Sequence, residues 1–64
     1  MSELILTPNI DSPDDFYAEL LATHEGLSNE DSSALNARLI LILANHIGDR
    51  AVLSDALRAA APKN

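Results

Sequence analysis

Residues 29–47 read NEDSSALNARLILILANHI, and their apolar side chains do not keep to one side of a helix. Placed at about 100° per residue, the main apolar arc holds Leu35, Leu39, Ile40, Ile42, Leu43 and Ile47. The opposite arc carries Ala34, Ala37, Leu41 and Ala44 beside Arg38 and Asn45. Small residues there permit close helix approach, and Leu41 is poorly placed in water. A helix that is apolar nearly all round is a buried helix. In a chain of 64 residues, too little remains to cover both sides of it. This segment therefore predicts association with another protein surface.

The remaining composition strengthens that expectation. A chain of this size buries only about 60% of the surface it exposes when unfolded. The apolar content is 47%, but it rests mainly on eleven leucines, five isoleucines and ten alanines. Phe16 and Tyr17 are the only aromatic residues, and alanine buries little. A lone copy has a marginal core, and self-association or docking on a larger partner would supply the missing burial. The absence of cysteine excludes disulfides, thiolate metal sites and thiol nucleophiles.

Charge is unevenly spread within the net −6. Residues 1–31 carry Glu3, Asp11, Asp14, Asp15, Glu19, Glu25, Glu30 and Asp31 with no Lys or Arg, a charge of −8. Residues 32–64 set Asp49 and Asp55 against Arg38, Arg50, Arg58 and Lys63, a charge of +2. Acids favour helix N-termini, which accounts for part of the asymmetry. Head-to-tail pairing of an acidic with a basic face is the sharper reading. The overall balance argues against nucleic-acid binding, which needs a cationic footprint.

Local signals divide the chain into an N-terminal arm, 1–12, and a small helical domain, 13–64. Glu3-Leu4-Ile5-Leu6-Thr7 could be a short extended segment ended by Pro8. With no strand partner in sight, it would pack across a helix or add to another chain. Asp11-Ser12-Pro13 then marks a helix start, with a short polar side chain as cap and proline where a missing donor costs nothing. The first helix should run over about 13–25 and stop at Gly26. Ser28 caps a second helix, about 29–47, which ends at Gly48. Asp49 caps a third, about 50–60, which ends before Pro62. The predicted fold is all-α: a helical hairpin plus a third helix, with an extended arm. On the first helix Phe16, Tyr17, Leu20, Leu21 and His24 share an arc opposite the acids. On the third, Val52, Leu53, Ala56, Leu57 and Ala60 face one way, and Ser54, Asp55 and Arg58 face water. Met1-Ser2-Glu3 lacks the positive start of a signal peptide, and Leu39 to Ala44 is the longest apolar run, so a cytoplasmic protein without a membrane span is expected.

Chemistry has few candidates. His24 and His46 lie within apolar arcs, where a backbone or asparagine partner would satisfy them; paired at a helix crossing they would make a pH-sensitive contact. Asp11, Asp14, Asp15 and Glu19 lack the spacing of a calcium loop, and dipole capping explains them. No metal or cofactor is expected. Asp31-Ser32 at a helix start is similar to the modified serine of acyl carrier proteins, but Ser33 stands where that motif has leucine. A small carrier or ligand-binding protein is therefore one alternative. A helix-turn-helix DNA-binding regulator, with Arg50, Arg58 and Lys63 on its last helix, is another, and it lacks a clustered basic stripe. The corner Asn45-His46-Ile47-Gly48-Asp49-Arg50 reads as a capped turn closed by Asn45 or His46, or as a polar hot spot.

Thr7-Pro8-Asn9, Asp14-Asp15-Phe16-Tyr17, Leu35-Asn36-Ala37-Arg38-Leu39 and Ala44-Asn45-His46-Ile47-Gly48-Asp49 resemble a family of short bacterial proteins known as a domain of unknown function. The likeness covers nearly the whole chain. Its members resemble companions of larger catabolic enzymes, flavin-dependent aromatic hydroxylases among them. The resemblance implies an accessory polypeptide and carries no catalytic residues. The expectation is a non-catalytic interaction subunit, as a homo-oligomer or on a larger enzyme. Phe16, Tyr17, Leu20, Arg38, Leu41, Asn45, His46 and Arg50 are its candidate interface residues.

Overall fold

A computed structural model describes residues 3–62. Met1, Ser2 and the basic Lys63 lie outside them. The chain is all-α, with three helices in the order α1 Pro13–His24, α2 Asn29–Ile47 and α3 Arg50–Ala60. Residues 3–12 form neither helix nor strand, with bends at 7–8 and 11–12.

Each boundary has a local cause. Ser28 stands in extended geometry and its hydroxyl accepts from the Asp31 N–H at 3.1 Å, with Glu30 and Asp31 in the first turn of α2. Gly48 ends α2 at φ 74°, a left-handed conformation that glycine adopts without strain, and its N–H donates to the Ala44 carbonyl at 2.9 Å. Asp49 follows at once, and its carboxylate accepts from Ala51 N–H at 3.0 Å and Val52 N–H at 3.2 Å. Ala61 closes α3 through its N–H to the Leu57 carbonyl at 3.0 Å, and Pro62 forces Ala61 out of helical geometry.

The start of α1 departs from expectation. Ser12 is the N-cap residue, but it lies at φ 50° and ψ 62°, and its side chain makes no capping bond. Only its carbonyl serves the helix, accepting from the Phe16 N–H at 3.1 Å. A side-chain cap needs extended backbone at the cap position, and the left-handed turn into Pro13 denies it. At the other end α1 stops one residue short of the expected Glu25, which is the extended C-cap before Gly26 at φ 80°.

These well-formed helices scarcely meet. No two pack along a shared seam, and no described residue is buried. The accessible surface is 5901 Å², against roughly 4,000 Å² for a folded monomer of this mass. The Cα radius of gyration is 13.6 Å, where a chain of this length packed around a core has about 11 Å.

Candidate interaction surface

An apolar groove lies in the angle between α2 and α3. Two residues, Gly48 and Asp49, turn the chain between Ile47 and Arg50, and both helix ends are fixed by local bonds: Gly48 to Ala44 on one side, Asp49 to Ala51 and Val52 on the other. The angle holds an open groove of about 510 Å³ with an almost wholly apolar lining. Ile40, Leu43, Ala44 and Ile47 of α2 form one wall, and Leu53, Ala56, Leu57 and Ala60 of α3 form the other. Arg50 stands at the corner as its one charged residue. The wall side chains recur at i, i+3, i+4 and i+7 on both helices, the spacing of a core-facing stripe. Yet Leu57 is 71% exposed, and Ile40, Leu43 and Ile47 are exposed as well.

Two further apolar surfaces stand open. On α2, Leu41 is 69% exposed, with Ile42 also exposed on a different side of the helix. On α1, Leu20 and His24 at the centre of the arc are half-buried, while Tyr17 and Leu21 beside them are 61% and 53% exposed. Phe16 is exposed too.

Of the interface residues expected from sequence, Arg50 alone lines the groove. Phe16, Tyr17, Arg38, Leu41, Asn45 and His46 are exposed elsewhere, and Leu20 is half-buried. Sequence reasoning missed the groove walls as a site, although it had placed Ile40, Leu43 and Ile47 on one arc and Leu53 and Leu57 on another. The missing information was the turn at Gly48, which swings the two arcs toward each other. Two expectations about polar groups need correction. Among the described residues neither histidine side chain, nor that of Asn45, makes a hydrogen bond; at the end of α2 it is Gly48's own N–H that bonds the Ala44 carbonyl. Ser54, expected to face water, is half-buried.

The electrostatics are equally unpartnered. Among the described residues the one ion pair joins Arg58 to Asp55, one turn apart on α3. Among the described residues Arg38 and Arg50 pair with no carboxylate, and none of the eight acids of residues 1–31 pairs with a cation. Arg58 is thus paired within α3 and Arg50 lines the groove, while Lys63, the third cation expected of a helix-turn-helix, lies outside the described residues. Among the described residues no helix is long and apolar enough to cross a membrane.

The model of a family described as "Protein of unknown function (DUF2783)" matches residues 4–62. The chain belongs to this family. No curated protein and no solved structure matches it. The DUF2783 match spans the arm from Leu4, all three helices and Pro62, so the groove, the α1 face and the outer face of α2 all lie within the family's extent.

Proposed function

We propose that this DUF2783 protein is a non-catalytic interaction subunit that completes its fold against another protein surface. One observation carries the reading: none of the described residues is buried, although α2 and α3 each carry a side-chain N-cap. The accessible surface exceeds that of an ordinary folded chain of this mass by about 1,900 Å², more than the ~800 Å² each partner gives to a standard interface. The exposed apolar side chains of the groove walls, of α1 and of Leu41 and Ile42 are the kind of surface that marks an interaction site. The non-catalytic part of the reading rests on the sequence alone, in which no serine sits in a recognisable nucleophile motif. A larger catabolic enzyme, a flavin-dependent aromatic hydroxylase among the candidates, is the heteromeric form of the same reading and rests on the family resemblance.

Thermal unfolding followed by far-UV circular dichroism at a series of chain concentrations tests it. The expected outcome is a transition that sharpens and moves upward as a partner surface becomes available, with dye-binding apolar surface on the dilute chain. A cooperative melt independent of concentration, with no dye binding, would show a self-sufficient monomer and overturn the reading.

A further inference from the structure

The groove and the face of α1 match each other in pattern and in charge. Arg50, Leu53 and Leu57 follow one another at i, i+3 and i+7 along α3, and all three line the groove. Asp14, Tyr17 and Leu21 stand at the same i, i+3 and i+7 along α1: of the acids expected opposite the apolar arc, Asp14 in fact borders it, about 20° from Leu21 on the helical wheel. Each series sits on one side of its helix and spans about 10.5 Å. One begins with a cation and the other with an anion, and neither Arg50 nor Asp14 has an ion-pair partner among the described residues. The α1 series does not fill the groove of its own chain, since no residue of α1 lines it.

Resting on the interaction reading above, we infer that the partner is a second copy of this chain, whose α1 lies in the α2–α3 groove. Asp14 meets Arg50 at the corner, and Tyr17 and Leu21 cover Leu53 and Leu57. A two-fold axis makes the exchange reciprocal, so each copy gives α1 and receives it. The area supports a second copy: two chains packed to ordinary compactness would bury about 5,200 Å² in total, the scale of obligate homodimers. The groove alone is too small for that, which is why the α1 face must be covered in the same assembly. Alternating the charges also sets the register, because sliding α1 by one turn brings Asp14 off Arg50 and onto apolar wall.

Sedimentation velocity on the full chain, from about 1 to 100 µM, tests this. The expected species has twice the 6.9 kDa chain mass. Leu57→Asp should leave monomers, with helix content retained because Leu57 touches little in its own chain. Asp14→Arg and Arg50→Asp should each weaken the dimer at least ~tenfold by setting like charges together. Mixed one to one, these two variants should dimerise again, and so should the chain carrying both changes. A monomer that is helical but melts without cooperativity would overturn the second copy as occupant and leave the partner reading standing. A cooperative monomer would overturn both. A dimer indifferent to Leu57→Asp and to both reversals, or a small molecule held by the native chain in place of a second copy, would overturn the groove contact.

Discussion

The entry to α1 and the corner between α2 and α3 look alike in sequence and are built differently. Asp11-Ser12-Pro13 and Gly48-Asp49-Arg50 both place a short polar side chain just before a helix. At the corner the residue before the helix is Asp49 in extended geometry, and its carboxylate takes two backbone N–H groups at 3.0 and 3.2 Å. At α1 the residue is Ser12 in left-handed geometry, and its hydroxyl takes none. The corner hands its awkward conformation to Gly48, at φ 74°, and so frees Asp49 to cap. The α1 entry has no glycine, and one residue must both turn the chain and start the helix. A capping residue acts only when a neighbour absorbs the turn.

That contrast is open to direct attack, all measurements being midpoints of unfolding at one fixed chain concentration. Gly48→Ala should cost most, about 1–2 kcal/mol, for holding an L-residue in left-handed geometry. The cost is conformational: an added Cβ would meet nothing closer than the Asn45 carbonyl oxygen at 3.9 Å, an ordinary contact. Loss of the two bonds in Asp49→Ala comes next, at about 1 kcal/mol, with Asp49→Asn recovering most of it. If Asp49→Ala were silent while Gly48→Ala was severe, the corner would owe its geometry to the glycine alone.

The same contrast explains how far the sequence reaches. Helix ends were legible where one residue decides them: Ser28, Gly48, Asp49 and Pro62 each act through bonds or sterics within four residues. Ser12 was not, because its role depends on a backbone angle set jointly with Asp11 and Pro13. The excess apolar surface was legible from Leu41, Ile42 and their neighbours, since seven apolar positions on one short helix cannot share one side. The groove was not. A helical wheel shows that Ile40, Leu43 and Ile47 share an arc, and that Leu53 and Leu57 share another, but it does not show which way the corner folds. Arg50 was chosen for its charge next to a turn, and it proved to be the one chosen residue that the turn carries into the groove.

Ser28 and Ser12 give the finest comparison, because they are the same residue at the same nominal position of two helices. Ser28→Ala removes a hydroxyl that accepts from Asp31 at 3.1 Å and should cost about 0.5–1 kcal/mol. Ser12→Ala removes a hydroxyl that caps nothing, so its midpoint should move by less than about 0.5 kcal/mol. Ser12→Gly should go further and be neutral to slightly stabilising. Glycine relieves the φ 50° strain, while the greater freedom of the unfolded chain returns roughly 0.5–1 kcal/mol of that gain. Paired denaturant titrations of the three variants decide the matter. Equal losses for Ser28→Ala and Ser12→Ala would mean that Ser12 caps α1 after all, and that the two ends of the contrast are one.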